Sequence, residues 1–287
     1  MTPSYLGAVK GEVLKLSRQR ALWLMIGLGV LLFAFVGAAI FTADGVRQTE
    51  SRSPAVFFYN ALDIMANLFG TGAGIVLLIT SSRLFGMEYS SGTIRILLAR
   101  GTGRLQLYAA KLTALLLLGV LLLVGFTAVA SILIYLVVSA WQGNGSALTS
   151  LPGEAWRDFQ LTLLVGLVSV VVTSLLGSAA AIAGRSLSFG IAVAMAFFPA
   201  DNFAVIVLSI LQRITRNDAF NKATAYLLGP NLNLLSGKLE TAHHVRAAFA
   251  TPAVAVDLTH VWTVIAVYAA IFLVGSLALL LRRDVLE

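Results

Sequence analysis

Six stretches of the chain are apolar for about 20 residues or more, at 21–41, 61–82, 112–138, 161–183, 191–211 and 261–281. Because a helix rises about 1.5 Å per residue, about 20 residues cover the roughly 30 Å of a bilayer's hydrocarbon core. The stretches are runs of Leu, Val, Ala and Ile without the period-two alternation of membrane β-strands. The pattern predicts an all-α integral membrane protein: a six-span transmembrane domain over 21–287, preceded by a segment of different character over 1–20. In that first segment Tyr5, Leu6, Val9, Val13 and Leu16 fall within an arc of roughly 100° on a helical wheel, with Lys10, Lys15 and Arg18 opposite. The expectation is an amphipathic helix lying in the membrane interface; the plainer alternative is a solvated tail with accidental periodicity. The first apolar run is longer than a signal-peptide core and follows this tail, so it is expected to be a retained span.

Composition agrees with the pattern and narrows it. Of the residues, 59% are hydrophobic, 11% are charged and the mean hydropathy is +0.90. Soluble domains carry about a quarter charged residues and disordered chains are polar, so both classes are excluded. With no cysteine there is no disulfide framework, thiolate metal site or cysteine nucleophile. The net charge of +7 is sorted along the chain: segments 1–20, 83–111, 184–190 and 282–287 hold 12 Lys and Arg against 4 acids, and segments 42–60, 139–160 and 212–260 hold 8 against 7. Positive loops stay in the cytoplasm, which places both termini there. The basic character then describes a cytoplasmic face meeting anionic membrane lipids, with no need of a nucleic-acid partner.

Candidate chemistry is sparse. No phosphate-binding loop occurs; the nearest approach, Gly229 to Gly237 followed by Lys238, has the wrong glycine spacing and no Ser or Thr after the lysine. Gly70, Gly72 and Gly74 lie inside a span, where Gly70 and Gly74 form a small-xxx-small pair suited to close helix packing. The histidines are His243, His244 and His260, and an adjacent pair points to different helix faces, unlike the i, i+4 pair of a zinc helix. No metal site, catalytic residue or bound cofactor is expected. Two acids fall in spans, where a carboxylate is costly and usually meets a partner or water. Asp63 sits at the end of its span and reads as a hydrated interfacial residue. Asp201 lies deeper, two residues after the helix-kinking Pro199 and next to Asn202, so these three either line a pathway or form a structural polar break.

The stretch between the second and third spans runs Arg83-Leu-Phe-Gly-Met-Glu88-Tyr-Ser-Ser-Gly92-Thr93-Ile-Arg95-Ile-Leu-Leu-Ala-Arg100-Gly-Thr-Gly-Arg104 and on to Lys111. Ser90 or Ser91 is placed to cap a helix start and Gly101 and Gly103 to break it, giving a short amphipathic cytoplasmic helix of Ile94, Ile96, Leu97 and Leu98 among Arg95 and Arg100. Here the chain resembles the membrane subunits of type-2 ABC transporter permeases. Those carry an acid, Gly-Thr, a Leu-rich short helix, then an Arg and a Lys leading into the third span; the matching positions are Glu88, Gly92-Thr93, Leu97-Leu98, Arg104 and Lys111. Leu228-Gly229-Pro230-Asn231 with Leu234-Leu235 is similar to the proline-centred stretch before the family's last span. The proline that often precedes the Arg is replaced by Gly101-Thr102-Gly103.

The resemblance implies an ATP-driven exporter. Two permease subunits, as a homodimer or heterodimer, would form the pathway, and two cytoplasmic ATPase subunits would hold ATP and Mg and push on a short coupling helix through Glu88, Gly92, Thr93, Arg95, Arg100 and Arg104. Glu88 would meet a basic group on the ATPase or pair with Arg95 or Arg104 of its own chain; a solvated charge cluster is the plainer alternative. In the long stretch 212–260 the family leads one to expect an outer helical segment, with Phe220, Ala223, Tyr226 and Leu227 on one apolar face, against the alternative of a loose loop. The localisation implied is a bacterial inner membrane. Apolar spans suit a hydrophobic, amphipathic or peptide-like cargo, though they suit any bundle in lipid. A gradient-driven secondary transporter using Asp201 is the competing carrier; it would carry inverted repeats and several buried ionisable groups. A membrane-embedded enzyme lacks a cluster of histidines or acids.

Overall fold

The computed structural model describes residues 4–42, 53–94, 96, 103–142, 151–239 and 249–282. Within them the helices are α1 Tyr5–Ser17, α2 Arg20–Thr42, α3 Pro54–Ser90, α4 Arg104–Gln142, α5 Gly153–Gly184, α6 Leu187–Thr215, α7 Ala219–Thr224, α8 Leu228–Leu239 and α9 Leu258–Arg282. No strand occurs among the described residues. Six of the helices, α2 to α6 and α9, are long and apolar enough to cross a membrane, as the hydrophobic pattern predicts.

The helices outrun the apolar runs that announce them. At 37 and 39 residues, α3 and α4 extend about 55 Å each, well beyond a hydrocarbon core of about 30 Å. The hydropathy falls where Arg83, Glu88, Arg104 and Lys111 begin. The backbone stays helical there, Glu88 and Lys111 pairing with charged side chains of other helices and Arg104 with carbonyls of α9. Between α5 and α6 the expected loop shrinks to a turn: Arg185 takes a left-handed conformation (φ 48°) and Ser186 caps α6 by accepting from the Phe189 amide at 3.5 Å.

At the centre of the bundle lies α5, which packs against α3, α4, α6, α8 and α9 and is buried without a break from Val172 to Ser178. A helix buried on every side must be small as well as apolar. Its Gly166 and Gly177 accordingly meet Leu123 of α4 and Ser81 of α3 at distances that leave no room for a side chain. The α2 helix is peripheral: Phe33 stacks edge-on to Phe126 of α4 at 4.8 Å, while Trp23, Leu24, Leu28, Leu31 and Phe35 face outward, as lipid-facing residues do.

The segment after α6 folds into α7 and α8, and its buried face differs from the one expected. Tyr226 is 64% exposed and Ala223 is exposed. The residues turned inward are Thr224, Leu228, Asn231 and Leu235, which pack α8 on α5, α6 and α9. Helical spacing through Leu228, Asn231 and Leu235 carries this face, and Asn231 passes as a core residue because its amide donates to Ala225 O (2.8 Å) and Leu227 O (2.7 Å).

A candidate functional site at the ionic end of the bundle

The last turn of α3, the first turns of α4, the α5–α6 turn and the end of α9 meet at one end of the bundle, and α1 lies across it. Four charged side chains join there. Lys111 of α4 is 2% exposed, and its ammonium donates to Glu12 Oε2 at 3.0 Å, Glu88 Oε1 at 2.7 Å and the Leu84 carbonyl at 3.0 Å. An ammonium has three N–H donors, so all are used. Lys15 of α1 bridges the same two acids, at 2.7 Å to Glu12 Oε1 and 2.9 Å to Glu88 Oε1. Glu12 and Glu88 are 4% and 8% exposed, and Glu88 Oε2 has no hydrogen-bond partner among the described residues. Two acids and two bases leave the group neutral, a condition for burying charge at tolerable cost.

Local sequence explains how the four converge. The inward stripe of α1 runs through Ala8, Glu12 and Leu16, not along the apolar arc of the wheel; Leu6 and Val13 of that arc are exposed. Glu12 therefore points at the bundle and Lys15, one turn on, reaches across its edge. Lys15 is partly desolvated, which opposes its charge, but the hydrogen bonds it donates to the Glu12 and Glu88 carboxylates, with their negative charge, outweigh this and hold its ammonium above the ordinary lysine value. Two further contacts pin α1: Tyr5 OH to Thr113 Oγ1 at 2.7 Å, and the Trp23 indole donating to the Ser17 carbonyl at 2.7 Å.

The other residues singled out by sequence are distributed unevenly. Glu88 pairs with Lys15 and Lys111, neither of which is the intrachain partner expected from spacing. Arg104, at the start of α4, donates to the Leu280 and Leu281 carbonyls at 2.9 and 3.2 Å; a cation there also complements the negative end of the α9 dipole. Ser90 and Ser91 close α3 and do not open a new helix: Ser91 is the C-cap, its amide bonding Met87 O at 2.9 Å. Gly92 then turns with φ +67°, and Thr93, Ile94 and Ile96 are helical. Arg95, Leu97, Leu98, Arg100 and Gly101 lie outside the described residues. Sequence reasoning passed over Glu12 and Lys15, although Glu12 is the one acid in the basic segment 1–20, and that isolation was the available signal.

At Gly70 and Gly74 a side-chain carbon would meet nothing within 4 Å among the described residues. Asp201 lies half-buried on α6, and its Oδ2 accepts from the Gly229 amide in the first turn of α8. Asn202 Oδ1 accepts from Asn233 of α8 at 2.8 Å, and Pro199 is on the exposed side of α6. The carboxylate thus caps α8 from a neighbouring helix. Asp201→Ala should cost about 1 kcal/mol, the usual worth of such a cap, and Asp201→Asn less, read as thermal unfolding in lipid nanodiscs. His260 contacts the Ala225 carbonyl at 2.8 Å, His243 and His244 lie outside the described residues, and no group of metal-ligating side chains forms among the described ones.

Comparison with known proteins agrees with this anatomy. A family model described as "ABC-2 family transporter protein" matches residues 8–210, a stretch that holds all four members of the ionic group and Pro199, Asp201 and Asn202, and ends within α6. No curated protein matches the chain.

Proposed function

The chain belongs to the ABC-2 transporter family as a multi-pass membrane permease subunit, and on that premise we propose that the ionic end of the bundle is where a cytoplasmic ATPase drives it. Two ATPase subunits, holding ATP and Mg, engage the segment around residues 93–103 of each of two permease copies. Glu88, Gly92, Thr93, Arg95, Arg100 and Arg104 form or frame the contact, and an amphipathic or peptide-like substrate is exported along the interface of the two copies. The ionic end then faces the cytoplasm, with both termini on that side, and α1 rests on the inner leaflet of a bacterial inner membrane, its exposed Leu6 and Val13 toward the acyl chains.

The observation that carries this reading is the joining of helices on both sides of the segment. Through Glu12, Lys15, Glu88 and Lys111, α1 is fastened to the end of α3 and the start of α4. Through Arg104, α4 is fastened to the end of α9. A push on the residues between α3 and α4 therefore moves these elements together, as a coupling with discrete positions requires.

The test is co-expression and co-purification with a cognate ABC ATPase from the same genome. Wild type should bind it and alter its ATP turnover. In Gly92→Leu a side chain must adopt a left-handed backbone costing about 1–2 kcal/mol. The segment leaves its path, and complex formation should weaken about tenfold, a factor equal to about 1.4 kcal/mol. An ATPase that fails to bind the wild-type chain would remove the proposal.

A further inference from the structure

Only Arg18 and Gln19 separate α1 from α2, and hydrogen bonds fix the shape of this elbow. The Arg18 amide donates to Leu14 O at 3.3 Å and the Gln19 amide to Leu16 O at 3.1 Å, while the Gln19 carbonyl accepts from the Leu22 and Trp23 amides at 3.1 and 3.4 Å. The Trp23 indole closes the elbow on the Ser17 carbonyl at 2.7 Å. Leu16 and Leu22, one on each side of it, are buried in one cluster with Leu280 of α9. The outer side of the elbow is cationic. Over residues 1–42 Lys10, Lys15, Arg18 and Arg20 stand against a single acid, Glu12, and that acid is turned inward to Lys15 and Lys111. Arg18 and Arg20 are exposed and enter no ion pair among the described residues.

Beyond the elbow, α2 carries an uncovered apolar face directly in line with this charge. Arg20, Trp23, Leu24, Gly27 and Leu31 follow at i, i+3, i+4, i+7 and i+11, which is one side of a helix, and all five are exposed. Gly27 falls between Trp23, Leu24 and Leu31, and a side-chain carbon there would meet nothing within 4 Å among the described residues, so the face is notched. From Arg20 to Leu31 the helix rises about 16 Å, the depth of one leaflet of a hydrocarbon core about 30 Å thick. Cations at the top, an indole at the boundary where tryptophan settles and an apolar notch one leaflet deep complement an amphiphile lying along the helix. Guanidinium forks bind phosphate oxygens in pairs. With Glu12 spent on the two lysines, no acid of this segment is left to receive the amine of a zwitterionic headgroup, so a headgroup of net negative charge fits best. We propose that the α1–α2 elbow binds one anionic phospholipid, its phosphate held by Arg18 and Arg20 and an acyl chain laid in the Gly27 notch beside Trp23, Leu24 and Leu31. The lipid then clamps α1 to α2 from the membrane side, as Leu16 and Leu22 do from within. Its assignment to the inner leaflet rests on the permease–ATPase reading; the site itself does not.

The probes are dioleoylphosphatidylglycerol and dioleoylphosphatidylcholine, titrated onto the full-length chain in detergent at about 0.15 M salt and counted as retained adducts by native mass spectrometry. One phosphatidylglycerol should be held about tenfold more tightly than phosphatidylcholine. Arg18→Gln and Arg20→Gln should each weaken it about fivefold, and the two together about twenty-five-fold, the effect of one and two cations at a lipid surface. Lys10→Gln removes the same charge from α1 about 12 Å before the elbow, beyond the screening length of about 8 Å, and should change binding by less than about twofold. Gly27→Leu leaves every charge in place and fills the notch, and should weaken binding about fivefold, the lower end of an overpacking cost. All four positions are exposed, so without added lipid these variants should unfold thermally as wild type does. Equal retention of the two lipids, or a loss in Lys10→Gln as large as in Arg20→Gln, would overturn the proposal in favour of diffuse charge on this face. Competition by glycerol phosphate, a headgroup without chains, would overturn it in favour of a site for soluble anions. No ATPase enters this experiment, so its outcome and that of the co-purification stand apart.

Discussion

Lys111→Met should be the most damaging single substitution at the ionic end, lowering stability by about 3–5 kcal/mol, the usual cost of removing one member of a buried ion pair. The lysine is buried and holds two carboxylates and a carbonyl. Methionine matches its length and leaves no large cavity, so the loss is chiefly electrostatic: Glu12 and Glu88 face each other with only Lys15 between them. Lys15→Met is the contrast. That side chain is 46% exposed, and water can replace much of what it supplies, so the expected loss is below about 1 kcal/mol. Thermal unfolding of the three proteins in nanodiscs measures the difference, and amide exchange over residues 5–17 locates it. In Lys111→Met, α1 should exchange faster than α5, because Glu12 fastens α1 to the bundle. Adding Glu12→Gln and Glu88→Gln to Lys111→Met should restore part of the stability, since neutral amides neither repel nor need a buried cation. No recovery would mean that the lysine acts through its packing against Phe85, whose ring centroid is 5.8 Å from the ammonium.

The contrast between these lysines also shows what sequence can and cannot convey. Six spans were legible because each is a long apolar run, and a bilayer demands little beyond length and composition. Their ends were not. Hydropathy stops at the first charges, whereas α3 continues to Ser90 and α4 starts at Arg104, with Glu88, Lys111 and Arg104 bonded to other helices. Glu88 was singled out by the motif around it, but its partners lie 73 residues before it and 23 after it, and spacing does not reveal pairings at that range. Counting positive residues by side treats Lys10, Lys15 and Lys111 alike, although one is exposed, one half-exposed and one fully enclosed. A helical wheel ranks residues by hydrophobicity, so it hid Glu12 on the face where α1 is anchored. Asp201 stood out for the opposite reason: a carboxylate in an apolar run is conspicuous, and only the fold shows it meeting the first turn of α8.

Glycines pose the same problem, and one pair of substitutions turns it into a measurement. At Gly86 a side-chain carbon would lie 2.8 Å from the Leu187 Cα and 2.9 Å from the Leu187 amide nitrogen. These are backbone atoms, which cannot rotate aside, so α3 must separate from the start of α6. Gly86→Ala should therefore cost about 1–3 kcal/mol, the range for overpacking. It should also lengthen the contact between Ser90 Oγ and the Leu187 amide, already 3.4 Å, and disturb Glu88 two residues away. At Gly74 the added carbon meets nothing among the described residues, and alanine is the better helix former by about 0.5–1 kcal/mol, so Gly74→Ala should hold or gain stability. Thermal unfolding of the two variants in nanodiscs decides between the outcomes. A loss at Gly86 alone means that close packing at the ionic end is made by the glycine beside Glu88, within one chain. An equal loss at Gly74 would mean that another molecule covers the open face of α3 in the assembled protein, and that the small-residue pair does pack helices, from a different subunit.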